Sequence, residues 1–375
     1  MQPKERILAL LCRGMPDKLP FFHTDHHLLR GETERMARNR GMGVIVYRPC
    51  YVESTPNIEI ITRNQSNSLI RTYKTPVGSL TEVLSIGIGY GMGGYAFRDW
   101  RGIIPATSEF LVKSVDDYKI LKFIVEDIHY EPYYCAIEDQ VKHLGNDGLV
   151  VTDLPYEPME RLLLNWVEWK RFYIDLTKNP RVINEIVQTL EKKYEEELFP
   201  IAANSPSEVI RYGGNVDSIL VSPLMFQKYY SPSYAKFAEI LHARGKFLSV
   251  HMDGRLRVLA EEIANSNLDI VEAFTPPPMG DLPLKSALAS WKKKSIWVNF
   301  PSAISTLPVH PPRVVKKYLI DYLESLIPGE REVLIVSTEN RVPDQSLMAM
   351  VDVMEEARLP LTEDVIRNLR ASSGC

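Results

Sequence analysis

From residue 208 to residue 339 the chain alternates short β-branched, apolar runs with helical stretches, and this alternation constrains the fold more than any other feature. The runs are "EVIRYGG" (208–214), "KFLSVHMD" (246–253), "LDIVEAF" (268–274), "SIWVNFP" (295–301) and "EVLIVSTE" (332–339). Helical patterns at 223–244, 254–266, 283–293, 311–327 and 344–357 separate or follow them. Strands joined by crossover helices run parallel, and near-continuous apolar runs suit strands buried on both faces. The first half adds "LPFFHTD" (19–25), "MGVIVYRP" (42–49) and "DGLVVTD" (147–153). Eight such strands predict an α/β fold closed into a (β/α)8 TIM barrel, in preference to an open doubly wound sheet.

The whole chain, 1–375, therefore reads as a single barrel domain with an insertion over 52–110. That insertion combines a hairpin at 57–83, with turn residues at 64–68, and a glycine-rich, lid-like loop "GIGYGMGGYAFRDW" (87–100). The loop contains GxGxxG at Gly89, Gly91 and Gly94. A dinucleotide fingerprint needs a helix N-terminus after it, and the aromatic run toward Pro105 supplies none. A lid over the barrel mouth is the better use of these residues.

Composition excludes several classes of partner. A net charge of −4 gives no electrostatic reason to expect nucleic acid or an anionic membrane, and "WKKKS" (291–295) reads as a solvated helix end. Cys12, Cys50, Cys135 and Cys375 lie far apart with no CxxC, which suits a reduced, cytoplasmic compartment. "MQPKERILALLCRG" is apolar for too short a run to be a signal-peptide core or to span a bilayer, and reads as an amphipathic first helix.

The C-terminal ends of the predicted strands carry His23 and Asp25, Tyr47 and Arg48, Asp153, Asn215, His251 and Asp253, Glu272, Asn299, and Glu339. In a barrel these ends converge on the face where such folds do chemistry. His251 and Asp253, two apart on a strand, point to one side and can reach one metal ion, with Glu272 and Glu339 on later strands. Spacing leaves a second reading open: Asp253 as the cap of a helix at 254–266, and His251 as a core histidine. "FHTDHH" (22–27) supplies polar residues to face a substrate, His26 among them. "YGGNVDS" (212–218) puts glycines where backbone must pass close to something, with Asn215 free to hydrogen-bond it.

The stretch 212–282 holds GGN before "SPLMF", "HARGK" leading into a strand that ends His-x-x-Gly, and Asp-Leu after the next strand. With "TPVGSLTEV" and the opening "KERILALLCRGMPDKLPFF", it resembles the uroporphyrinogen decarboxylase superfamily over nearly the whole chain. That resemblance also implies a (β/α)8 barrel. The decarboxylases of that superfamily hold substrate carboxylates with an arginine-rich opening motif, where this chain has "FFHTDHHLLRG". The resemblance is therefore closer to the corrinoid-dependent methyltransferase branch. Those enzymes bind zinc through His-x-Cys and a later Cys; here His251 matches the histidine, Asp253 the first cysteine's place and Glu339 nearly the second's. Glu272 resembles the glutamate ligand of the cobalamin-independent methionine synthase barrel.

Oxygen ligands in place of thiolates leave zinc, or another divalent metal, a stronger Lewis acid, suited to polarising an ether oxygen. The resemblance thus implies transfer of a methyl group from a small O-methyl (or N-methyl) donor to a corrinoid carried by a partner protein. His23, Asp25, His26 and Tyr47 are the candidates for holding the donor or protonating its oxygen, with Arg48, Asp153, Asn215 and Asn299 binding substrate. A homodimer fits the same resemblance. Two other readings use the same mouth: a metal-assisted decarboxylase, lyase or hydrolase of a carboxylated substrate held by Arg48, Arg98 and Arg101, and a non-catalytic barrel that binds a corrinoid or partner.

Overall fold

A computed structural model of the protein describes residues 1–26, 28–85, 98–99, 102–103, 106–306, 309–330, 332–336 and 341–374. All eight predicted strands form, and they close into one parallel barrel. Numbering the barrel strands alone, they are β1 (Phe21–Thr24), β2 (Gly43–Arg48), β3 (Gly148–Asp153), β4 (Val209–Arg211), β5 (Phe247–His251), β6 (Ile270–Phe274), β7 (Ser295–Asn299) and β8 (Glu332–Val336). Each pairs with its neighbours in sequence, and β8 closes the ring on β1 through Phe22↔Ile335. The protein is a (β/α)8 TIM barrel.

Alternation along the strands divides the core in two. Phe22, Ile45, Leu149, Val151, Val209, Ile270, Trp297, Val333 and Ile335 fill the barrel interior, while their sequence neighbours pack outward against the helices. The first helix, α1 (Pro3–Leu11), starts with Pro at its first turn and a Gln2/Glu5 capping box. Its Ile7 and Leu10, three residues apart on one face, join the interior cluster and plug the N-terminal end. With the bottom apolar and closed, polar residues facing inward collect at the other end.

The insertion is richer than a hairpin. Glu59–Gln65, Ser68–Thr75, Gly78–Ser85 and Ala106–Glu109 make a four-stranded antiparallel sheet, so the stretch 57–83 holds two turns. The second, at "TPVG", places Gly78 at φ 141, a conformation that favours glycine. Tyr51–Ser54 pairs with His129–Pro132 in a further ribbon. The glycine-rich loop with Gly89, Gly91 and Gly94, Arg101, the Arg98 side chain, Glu339 and Cys375 lie outside the described residues. Among the described residues no helix is long and apolar enough to cross a membrane.

Candidate active site

Parity along each strand decides which of the expected residues face the mouth. Tyr47 belongs to the interior cluster; Asp153, Arg211, Glu272 and Asn299 each lie two residues beyond an interior residue, and His251 four beyond Phe247. His23, adjacent to interior Phe22, turns instead toward the helix layer, where it is buried with Nδ1 2.6 Å from the Thr24 carbonyl oxygen. Arg48, adjacent to Tyr47, also leaves the interior and pairs at the rim with Asp25 (3.0 Å).

Four of the inward residues and Arg211 form one network. The Tyr47 hydroxyl donates to Glu272 Oε1 (3.0 Å), and His251 Nδ1 lies 2.6 Å from Glu272 Oε2. Arg211 Nη1 stands 3.7 Å from that same oxygen, and its Nε donates to Asp153 Oδ1 (2.8 Å). The guanidinium lies over the Tyr47 ring, 4.1 Å from its centroid. Burial alone would push the Glu272 carboxyl up. The His251 imidazole, Arg211 and the Tyr47 hydroxyl outweigh it and hold the carboxyl at about 2. Burial likewise opposes charge on His251, but Glu272 and then Asp253 raise its pKa above the usual histidine value. Burial, then the Glu272 charge, pushes Tyr47 well above the usual phenol range, so it stays protonated.

A backbone irregularity aims Glu272. Between β6 and β7 the register passes from Val271↔Ile296 to Phe274↔Val298, so Glu272 and Ala273 together oppose Trp297. This is a β-bulge, and Ala273 sits in it at φ 59. A left-handed alanine costs about 1–2 kcal/mol, a strain characteristic of functional positions.

The turn after β5 is held by its neighbours. Arg255 N–H donates to Asp217 Oδ2 (3.2 Å), and Leu256 and Arg257 N–H donate to Asp281 Oδ1 (2.8 and 3.0 Å). Gly254, at φ 81, passes so close to Asp217 that a β-carbon would stand 2.2 Å from Oδ2. The expected helix at 254–266 therefore begins later, with a 3-10 turn at Arg257–Leu259 and an α-helix at Ala260–Asn265. Asp253 caps neither. It is half exposed at the mouth, 3.9 Å from His251 Nε2.

Behind β5 stands a pair of carboxyls that sequence reasoning missed. Glu157 is fully buried; it accepts from Gly214 N–H (3.2 Å) and from the Tyr234 hydroxyl. A β-carbon on Gly213 would fall 1.9 Å from the Glu157 carboxyl, and one on Gly214 would fall 2.9 Å from His251 Cβ. The glycines of "YGGN" thus let Glu157 and His251 pack against the two sides of one loop, as their spacing suggested. Asn215 follows at φ 59, its side-chain amide donating to the Tyr156 hydroxyl (3.3 Å). Burial raises Glu157 to about 7, and burial beside Glu157 raises Glu160 further. The Tyr230 hydroxyl is the polar group that faces the Glu160 carboxyl.

The structure so places Tyr47, Asp153, His251 and Glu272 together, with Asp253 alongside. Asp25 and His26 (2.8 Å apart) form a separate rim pair, linked to the network by the His26 ring standing edge-on to Tyr47 at 6.0 Å. Arg211, which the sequence reading missed, is legible as an arginine two residues after the interior Val209. For a metal, two expected donors suit one ion: His251 Nε2 and Asp253 Oδ2 are separated by a span that two bonds of about 2.1 Å can bridge. Glu272, with both oxygens engaged, stands behind the histidine rather than beside it. Among the described residues no group of three His, Cys, Asp or Glu side chains could hold a metal ion.

Fold and mouth together define a (β/α)8 barrel with a charged, hydrogen-bonded network at the C-terminal ends of its strands. No family model matches the chain, and no curated protein matches it. It is similar in structure to a methyltransferase from Methanosarcina mazei, at 14% identity, over 94% of this chain and 97% of that one, with a TM-score of 0.55. It is similar more remotely to a Bacteroidetes-affiliated GH5 cellulase (8% identity, 99% of each chain, TM-score 0.43). A glycoside hydrolase family 5 enzyme from Prevotella bryantii is comparable (10% identity, 90% and 95%, TM-score 0.41). At these identities the likeness is one of fold.

Proposed function

We propose that the protein is a methyltransferase that takes a methyl group from a small O-methyl (less favourably N-methyl) donor and passes it to the cobalt of a corrinoid on a separate protein. The observation that carries this reading is the His251 imidazole, fixed at Nδ1 by Glu272 so that Nε2 faces the mouth beside Asp253. A histidine oriented by a carboxylate on its far nitrogen is the usual arrangement of a metal-binding imidazole. Zinc or another divalent ion would be held by His251 and Asp253 with Glu339 of the segment after β8, and would supply Lewis acidity to the departing oxygen. The overall likeness to a methyltransferase barrel supports the same reading.

The chain's own residues then have distinct tasks. Glu272 fixes the tautomer and orientation of His251, while Tyr47 and Arg211 keep Glu272 ionised and immobile. His26, tethered to Asp25 at Nδ1, is the group at the rim able to hand a proton from its other nitrogen to the departing oxygen. A reduced Co(I) corrinoid would supply the electron pair for the new bond to the methyl carbon; the pair of the broken carbon–oxygen bond stays on oxygen, and that proton completes the alcohol.

The test combines metal analysis of protein purified without chelator with a Co(I) corrinoid protein and a panel of methoxy compounds, following cobalt absorbance. Stoichiometric metal, and an absorbance change lost in His251→Ala, is the expected result. No change with any donor would overturn methyl transfer; activity without metal would overturn the metal's part in it.

A further inference from the structure

Arg211 has a donor edge that the network does not use. Its Nε is committed to Asp153 (2.8 Å) and its plane rests on the Tyr47 ring (4.1 Å to the centroid). Nη1 approaches Glu272 only to 3.7 Å, beyond hydrogen-bond reach, and no acceptor among the described residues meets Nη1 or Nη2. The side chain is 20% exposed, and neither nitrogen is among the buried polar atoms left without a partner. Anchored at Nε and stacked on an aromatic ring, the guanidinium has already lost its rotational freedom. Its free Nη edge is the planar fork that a carboxylate meets with two parallel hydrogen bonds.

Resting on the function proposed above, we propose that Arg211 is the specificity-determining residue of the mouth, and that the methyl donor is a small carboxylate bound through the Nη1–Nη2 edge. The position suits this role. Arg211 and His251 converge on one oxygen, Glu272 Oε2, so a carboxylate seated on Arg211 places the remainder of a short molecule beside the imidazole. Charge fits as well. Arg211 stands between Asp153 and Glu272, so recognition is by matched hydrogen-bond geometry, not by a diffuse positive field. The rim residue Arg48 is spoken for by Asp25 and by the Tyr47 carbonyl oxygen (2.7 Å).

The experiment compares methoxyacetate with 2-methoxyethanol, and 4-methoxybenzoate with 4-methoxybenzyl alcohol, by calorimetry or ligand-observed NMR on the full chain without corrinoid. At least one carboxylate should bind more tightly than its neutral partner. Arg211→Gln should weaken that carboxylate about 10- to 100-fold, the range for a charged bidentate contact, and weaken the alcohol by a clearly smaller factor, the acid-over-alcohol preference being the quantity read. Arg211→Lys, which keeps the charge and loses the fork, should weaken it about tenfold and decides the matter if the glutamine variant does not fold. The proposal is overturned if neither carboxylate is preferred, if Arg211→Lys keeps the full preference, or if it weakens acid and alcohol alike. Arg211-dependent carboxylate binding without methyl transfer would sink the proposed reaction alone. Methyl transfer from neutral donors, indifferent to Arg211, would sink this inference alone.

Discussion

Two strand ends of this chain look alike on paper: "FHTD" closing β1 and "VHMD" closing β5, each a histidine with an aspartate two residues on. The structure treats them in opposite ways. On β5 the histidine has interior parity, so His251 enters the barrel and meets Glu272 at 2.6 Å. On β1 the interior residue is Phe22, so His23 points outward, buried against the helix layer with its Nδ1 on a backbone oxygen. A single residue of register separates a mouth histidine from a packing histidine. The turns beyond the two strands deepen the contrast. Asp217 and Asp281 hold the β5 turn from both neighbouring loops, whereas Asp25 is secured by its own neighbour His26 and by Arg48.

The harshest way to break that contrast is at Glu272, which is 2% exposed and carries contacts from three other strands. Glu272→Ala removes the carboxylate shared by His251, Tyr47 and Arg211 inside the barrel, leaving Arg211 with Asp153 alone. Breaking a buried pair in this way costs about 3–5 kcal/mol, and loss of an orienting carboxylate lowers metal affinity or activity about 10- to 100-fold. Denaturant unfolding and methyl-transfer assays read the two losses separately. A variant with wild-type stability would show that the network is decorative.

Next in size is a pH effect behind β5. Glu157 is raised by burial to about 7 from an ordinary value of 4.5, so the folded protein holds a proton there that the unfolded chain has released. Its contribution to stability is fully present below the ordinary value and is lost as pH rises through 7, by up to about 3 kcal/mol. Glu157→Gln should remove this decline, so that the variant's melting temperature falls less than wild type's between pH 5 and pH 8. Parallel pH profiles would mean that Glu157 is ionised in the fold. Glu272 has the opposite sign: held at about 2, it stabilises the protein at neutral pH and loses that contribution as pH falls toward 2.

How much of this was legible in the sequence depends on the same parity. All eight barrel strands were readable, because strands buried on both faces declare themselves as apolar runs. Which end residues look inward was partly readable: Tyr47, Asp153, His251 and Glu272 keep step with interior residues, and the same count would have turned His23 away and brought Arg211 in. The β6 bulge was not readable, since "DIVEAF" gives no glycine to mark it and Ala273 accepts φ 59 under tertiary constraint. Nor was Glu157, because "YEPMER" looks like a surface helix start until Gly213 and Gly214 are seen lying against its carboxyl.

A smaller perturbation sharpens the comparison by acting on His251 from behind. Gly214→Ala places a β-carbon 2.9 Å from His251 Cβ at a φ of 151 that a side chain rarely adopts. The imidazole must shift by a few tenths of an ångström, and positioning errors of that order reach about 100-fold when they approach 1 Å. About a tenfold loss in kcat is expected, with a stability cost of about 1–2 kcal/mol. An unchanged kcat would mean that the loop, and Glu157 with it, does not set the ring.

The smallest effect is expected at His23, and it is the one that isolates parity from residue type. His23→Gln keeps a polar side chain able to meet the Thr24 carbonyl oxygen, at a buried position whose strand parity is opposite to that of interior Phe22. Activity should stay within about threefold of wild type, while stability drops by about 1 kcal/mol through imperfect packing. His251→Gln, the same exchange at the other strand end, should abolish activity at a similar stability cost. If instead His23→Gln silenced the protein while remaining folded, the inward and outward faces of β1 would have to be exchanged, and the mouth redrawn around "FHTD".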